Sequence, residues 1–264
     1  MKKYKRFFIK LEKGIYMKAL VTGASSGIGR DIAKVLSNKG YDLVIVARRV
    51  ELLEELKSEL KTNVEIVNLD ISKRENCEKL FEEHKDIDII VNNAGFGIFG
   101  TFDSTDLDKE LSMLNTNVQA VHILTKLYVK EMKKRDSGKI LNVASIAGFM
   151  VGPLMSAYYA TKNYVVALSR GINKELKKDK SKVQVSVLCP GPVRTNFNDV
   201  AGVKFGVSSL SSDYVAMYAI EKLLKGKEVI VPGFNIRVLK FLNKILPSKL
   251  MIEATYYTQK AKEK

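Results

Sequence analysis

Residues 18–47 read KALVTGASSGIGRDIAKVLSNKGYDLVIVA. An apolar run, KALVT (18–22), enters a glycine-rich turn. The amphipathic stretch GRDIAKVLSNKG follows, and a second apolar run, DLVIVA (42–47), completes the unit. Two strand-like runs separated by one helical pattern spell a strand–helix–strand unit, because parallel strands need a crossover of about this length. The alternation continues through VEIVNLD (64–70), IDIIVNN (87–93), KILNVAS (139–145), VQVSVLC (183–189) and EVIVP (228–232). Several of these runs are apolar at nearly every position, as strands covered on both faces are. The expected fold class is α/β: a doubly wound parallel sheet of about seven strands with helices on both sides. With no Pro/Ser-rich linker and no internal repeat, residues 17–264 are expected to form a single domain.

Composition narrows the function classes. A hydrophobic share of 46% and a charged share of 28% fit a soluble globular chain. The two cysteines, Cys77 and Cys189, lie far apart and imply no disulfide framework, so the expected compartment is the cytoplasm. The formal charge is +15, and the opening MKKYKRFFIKLEKGIY (1–16) carries six Lys or Arg against one Glu. That stretch is too short and too interrupted by charge to span a membrane, and it lacks a signal-peptide cleavage site. It reads as a basic tail, with Met17 as an alternative start of the domain. The remaining positive charge is spread over helical surfaces without zinc-finger spacing or an aromatic RNA-binding signature, so nucleic acid is not an expected partner. No metal site is expected.

In open parallel sheets ligands bind at the carboxyl ends of the strands. After the first strand comes TGASSGIG (22–29), with Gly23, Gly27 and Gly29 around Ser25, Ser26 and Ile28. Glycine permits the tight turn and lets a phosphate approach the amides of the following helix. The spacing is G-x-x-x-G-x-G, not G-x-G-x-x-G. GASSG also satisfies the nucleophile elbow G-x-S-x-G, with Ser25 as nucleophile. That reading needs a late histidine, and the two histidines, His84 and His122, both lie in the first half of the chain.

The second strand ends at Ala47-Arg48-Arg49, where a carboxylate would suit a free ribose 2′-OH and an arginine suits a 2′-phosphate. Arg48 therefore points to NADP(H) over NAD(H). Asp70, past the third strand, is placed to accept from an adenine amino group, with Ser72 competing as a helix cap. The fourth strand runs into NNAG (92–95), where Asn93, Ala94 and Gly95 allow a cofactor close to the backbone, and Asn amides can tie adjacent strands. In SAYYATK (156–162), Tyr158 and Lys162 stand i,i+4 and share a helix face, whereas Tyr159 pairs with Asn163. A lysine one turn from a phenol favours phenolate and lowers its pKa from near ~10.

TGASSGIG, NNAG, Asn117, Ser145, YYATK and PGPVRT (190–195), in this order and at strand ends, resemble the short-chain dehydrogenase/reductase family over about residues 17–232. The resemblance implies a Rossmann-type sheet and NAD(P)-dependent carbonyl or alcohol oxidoreduction. It implies that Tyr158 is the acid/base, that Lys162 also holds the nicotinamide ribose, and that Ser145 hydrogen-bonds the substrate oxygen. Asn117 would support a water-linked proton path behind the lysine, although Ala120 stands where the family often has Gly, and Asn115 is the alternative. Pro190, Gly191, Val193 and Thr195 match the segment against the nicotinamide and phosphates. A homodimer or homotetramer is implied as well.

Residues 196–212, with Phe197, Val203, Phe205, Val207 and Leu210 among Gly and Ser, read as a substrate lid or a loop disordered without cofactor. The segment 233–264 opens as a basic amphipathic helix. It is expected to pack on the substrate loop or a subunit partner, with contact to an anionic membrane surface as the less favoured alternative. The C-terminal segment also resembles those of family members that reduce lipid-like or acyl carbonyls, which implies an apolar acyl- or steroid-like carbonyl substrate. The other function class open to this chain is a non-catalytic NADP(H)-binding sensor or scaffold on the same fold.

Overall fold

The computed structural model describes residues 17–195 and 209–261; the basic tail and most of the expected lid lie outside them. The first strand–helix–strand unit is β1 (Met17–Thr22), α1 (Gly27–Asn38) and β2 (Tyr41–Ala47). Then come α2 (Val50–Glu59), β3 (Val64–Asn68), α3 (Arg74–Glu83) and β4 (Ile89–Asn92). Helix α4 (Leu107–Leu114) runs through a π-helical turn, Asn115–Ala120, into α5 (Val121–Lys134). The chain continues through β5 (Lys139–Val143), a 3-10 turn at Ile146–Phe149, the long α6 (Ser156–Lys178) and β6 (Gln184–Leu188). Two short strands, β7 (Val193–Arg194) and β8 (Leu210–Ser211), pair with each other. Helix α7 (Ser212–Leu224), β9 (Val229–Ile230), α8 (Phe234–Ile245) and α9 (Ser248–Lys260) complete the chain.

The seven-stranded sheet has the order β3-β2-β1-β4-β5-β6-β9, and every pairing is parallel. The expected architecture is what forms. Side chains alternate across a strand, and here both sides find a helical layer. Ala19 and Val21 of β1 face a core with Ile32 and Leu36 of α1, Leu53 and Leu56 of α2, and Ala219 and Leu223 of α7. Leu20, between them, faces Leu80 of α3, Leu124 and Tyr128 of α5, and Leu176 of α6. This two-sided burial is why β1 and β2 are apolar at consecutive positions. Each fully buried Leu or Ile contributes roughly 1.5–3 kcal/mol.

The sheet order reverses direction between β1 and β4. Strand β1 leads outward through β2 and β3, whereas β4 leads to β5 and β6 on the other side. The crevice at that reversal is flanked by the glycine-rich turn and the NNAG segment, which follow β1 and β4.

Candidate active site

The cavity at the strand ends has a volume of about 580 Å³ and runs from the glycine-rich turn to the N-terminal half of α6. The end at the glycine-rich turn is shaped by two glycines. Gly23 has φ +65, and a Cβ there would stand 2.7 Å from the Ala94 Cα. A Cβ on Gly29 would meet the Asn93 Nδ2 at 2.3 Å, so Gly29 lies behind the wall and allows β1 and the NNAG segment to close together. Asn93 makes the closure specific: its Nδ2 donates to the Thr22 and Gly23 carbonyls, both at 3.1 Å. The Asn93 and Ala94 amides donate to Thr22 Oγ1 at 3.0 and 3.2 Å.

Ser25, Ser26, Gly27 and Ile28 line the cavity at the start of α1. That helix has no acidic residue in its first turn and no side chain capping it. Its first-turn amides and positive dipole end suit a pyrophosphate. Thr195 lies against Gly27 and shares the lining. The donor set and the glycine cradle therefore fit a dinucleotide.

Arg48 lines the cavity at the end of β2, as expected, and so does Arg49. Sequence reasoning passed over Arg49. Its Nη2 donates to Ser25 Oγ at 3.1 Å and approaches Ser26 Oγ at 3.4 Å, tying the β2 end to the turn. The signal was present as a second arginine in the same loop. Asp70 also lines the cavity, and its Oδ1 accepts from the Ser72 amide at 3.0 Å. Burial pushes its carboxyl upward, but the Ser72 hydrogen bonds and the Arg48 and Lys73 charges bring it below the ordinary value. Ser72 thus serves Asp70 instead of capping α3, whose first cap position is Lys73.

At the other end, Ser145, Tyr158 and Lys162 line one wall. The Tyr158 and Ser145 hydroxyls are hydrogen-bonded, and Ser145 Oγ accepts from the Ala147 amide at 3.2 Å. Lys162 Nζ donates to the Val143 carbonyl at 3.0 Å and lies 5.7 Å from the centre of the Tyr158 ring. The expectation of a phenol drawn down by this lysine is not met by the protein alone. Burial pushes the Tyr158 phenol up, against a smaller downward pull from the Ser145 hydrogen bond. Burial also lowers Lys162 to about 8. Val143 thus takes the lysine's hydrogen bond, and the low-dielectric wall holds the tyrosine neutral.

Tyr159 does more than pack. Its hydroxyl accepts from Gln259 Nε2 of α9 at 2.5 Å, while its ring fills the space beside Gly152. Asn163, its i,i+4 partner, donates to the Tyr159, Ala147 and Met150 carbonyls.

Asn117 is fully buried inside the π-helical turn and does not line the cavity. Its Oδ1 accepts from the Phe96 amide at 3.1 Å, and its Nδ2 donates to the Phe96 carbonyl at 2.8 Å and Thr161 Oγ1 at 3.2 Å. It anchors the backbone beside Gly95, which lies on the wall. Pro190, Gly191 and Val193 line the cavity after β6, with the Pro190 carbonyl accepting from Ile146 N at 2.8 Å. His84 and His122 do not reach the cavity: His84 is buried where α3 ends, and His122 Nδ1 meets the Tyr164 hydroxyl at 2.6 Å. Ser25 therefore has neither histidine beside it in the cavity lining.

The family profile described as short chain dehydrogenase matches residues 17–203. An uncharacterised oxidoreductase of Staphylococcus epidermidis is 31% identical over 224 residues, covering 83% of this chain and 96% of that protein. The short-chain dehydrogenase from Sphingobium yanoikuyae in complex with NADPH superposes with a TM-score of 0.77 at 28% identity, over 86% of this chain and 94% of that one. A short-chain dehydrogenase/reductase from Burkholderia phymatum in complex with NAD shares the fold, with a TM-score of 0.79 at 24% identity, over 86% and 92% of the two chains. With the profile spanning most of the chain and the glycine-rich turn and the Ser145–Tyr158–Lys162 wall on one cavity, this chain belongs to the short-chain dehydrogenase/reductase family.

Proposed function

We propose that this protein interconverts a carbonyl and a secondary alcohol with NADP(H), using Tyr158 as the acid/base. The observation that carries the proposal is the Tyr158–Ser145 hydroxyl pair, with Lys162 beside it, on the same cavity as the glycine-rich turn. Nicotinamide bound in this cavity would supply or accept the hydride. Burial keeps the Tyr158 phenol protonated, so in reduction it is ready to give its proton to the substrate oxygen. Ser145 stabilises the charge developing on that oxygen. With a pKa of about 8, Lys162 stays cationic at neutral pH and favours the phenolate left after transfer. Asn117 acts through position: by gripping both backbone groups of Phe96 it fixes the adjoining Gly95 against the cavity.

NADP(H) over NAD(H) is supported by Arg48 and Arg49 at the β2 end, where two cations line the wall. The solved relatives do not choose between the cofactors, one being in complex with NADPH and another with NAD, so the two arginines carry this reading. An apolar substrate is supported by Phe96, Met155 and the Tyr159 ring, which line the cavity beside Tyr158.

The test is NADPH oxidation by the purified protein against carbonyls graded in size and apolarity. Tyr158→Phe is expected to lower turnover by at least ~100-fold while keeping NADPH binding, and Tyr159→Phe is expected to retain most activity. Turnover that survives in Tyr158→Phe overturns the assignment.

A further inference from the structure

Helix α8 carries two apolar faces, and among the described residues only one of them is covered. Its inner side packs on the core. Ile236 lies against Gly191, where a Cβ would meet it at 2.3 Å, and Asn243 donates to the Phe149 carbonyl. The opposite side carries Phe234, Val238, Phe241, Leu242 and Ile245, at i, i+4, i+7, i+8 and i+11, a spacing that gathers them on a single stripe. All five are exposed, with Phe234 at 71%, Phe241 at 61% and Ile245 at 57%. No residue of α8 is buried. Past the helix end Leu246 and Leu250 are also exposed, and Tyr257 of α9 is 62% exposed. Five exposed apolar side chains on one helix stripe mark an interaction site more than scattered surface hydrophobics do.

Charge identifies the occupant. Between Glu228 and Glu253 the chain has no acidic residue, whereas Arg237, Lys240, Lys244 and Lys249 all fall in that interval. Arg237 and Lys244 run along one flank of the stripe by helical spacing, whereas the Lys240 ammonium turns inward over the Phe149 ring, 4.6 Å from its centre. An apolar stripe beside a row of cations, on a helix too short to cross a bilayer, is the pattern of a helix lying in a membrane interface. Among the described residues no helix is long and apolar enough to cross a membrane. A second copy of this chain presenting the same face would set those cations against themselves.

We propose that the outer face of α8, together with Leu250 and Tyr257, docks on an anionic phospholipid bilayer. Phenylalanine and aliphatic side chains enter the acyl boundary while Arg237, Lys244 and Lys249 meet lipid phosphates. The inner face stays on the core, so docking needs no refolding.

The experiment is co-sedimentation of the full chain with large vesicles of phosphatidylcholine alone, or of phosphatidylcholine mixed with phosphatidylserine. The variants are Phe241→Glu with Ile245→Glu, and Lys244→Gln with Lys249→Gln, all at exposed positions outside the cavity. The expected result is stronger binding to the anionic vesicles, lost in the glutamate variant. In the glutamine variant binding should fall by about fivefold per charge removed. Equal binding of all three proteins, or none above the vesicle-free control, overturns the proposal. So does a dimer in solution that the glutamate variant dissociates while vesicles bind neither form, which would make the face an interface between copies.

Discussion

Two adjacent tyrosines on α6 divide the work by which neighbour each reaches. Tyr158 meets Ser145 and has Lys162 one turn along, whereas Tyr159 points its hydroxyl to Gln259 of α9. The spacing predicted the first pairing; the second joins residues a hundred positions apart and was not visible in a local pattern. The arginines after β2 divide similarly. Arg49 is engaged with Ser25 and Ser26, which leaves Arg48 as the cation to probe for cofactor choice. Arg48→Ala is expected to lower the NADPH-over-NADH ratio of kcat/KM by about tenfold or more, as loss of a phosphate-bonded cation does; an unchanged ratio overturns its assignment. Lys162 carries a further consequence. Its folded pKa of about 8 lies below its ordinary 10.5, so between those values the unfolded chain binds more protons. Stability from this group therefore rises with pH through that window, and below it burial of the ammonium costs roughly 3 kcal/mol. Lys162→Met is expected to be more stable than the parent near pH 7, with the advantage shrinking as pH approaches 10.5. Urea denaturation of both proteins across that range checks it, and a constant difference refutes it.

At the scale of elements, the strands were legible and the connections between them less so. Apolar runs located the sheet strands, most clearly the central ones such as β1, β2 and β4, where two-sided burial demands them. The Asn-rich ends also did what the sequence suggested. Asn92 Nδ2 donates to Asn142 Oδ1 at 2.8 Å across β4 and β5, and Asn142 Nδ2 continues to Ser169 Oγ of α6 at 2.9 Å. Asn142→Ala leaves buried donors on Asn92 and Thr125 without this acceptor, so a loss of about 1–3 kcal/mol is expected. A lowered urea midpoint at an unchanged m-value would show it; no shift would mean the network reorganises freely. The π-helical turn at Asn115–Ala120 was not foreseen. It reads as ordinary helix because NTNVQA has no Gly or Pro to mark a break, yet the bulge is what presents Asn117 to Phe96. The C-terminal segment splits instead of forming one helix. Leu246, before Pro247, is extended at φ −81 and ψ 149, as proline requires of its predecessor.

For the whole molecule, the doubly wound sheet sets the cavity at its strand-order reversal, and the C-terminal helices are fastened beside it. Ile236, Asn243 and Gln259 hold α8 and α9 against the segments after β5 and β6, which form the cavity wall. The opposite face of α8 gives the membrane alternative its structural basis, so attachment and docking concern different sides of one helix. Any bilayer contact there would lie on the same C-terminal unit that bears Gln259, a lining residue of the cavity.

Local chemistry in the sequence was enough for the order of strands and helices, the glycine turn, and the Tyr158–Lys162 spacing, because each depends on periodicity or on residues within a few positions. What only the tertiary structure decided depends on distant partners: the carbonyl of Val143 that takes the lysine's hydrogen bond, the burial that holds Tyr158 neutral, and the hidden post of Asn117. Burial and hydrogen-bond partnership belong to the packed arrangement of many segments, and no single segment encodes them.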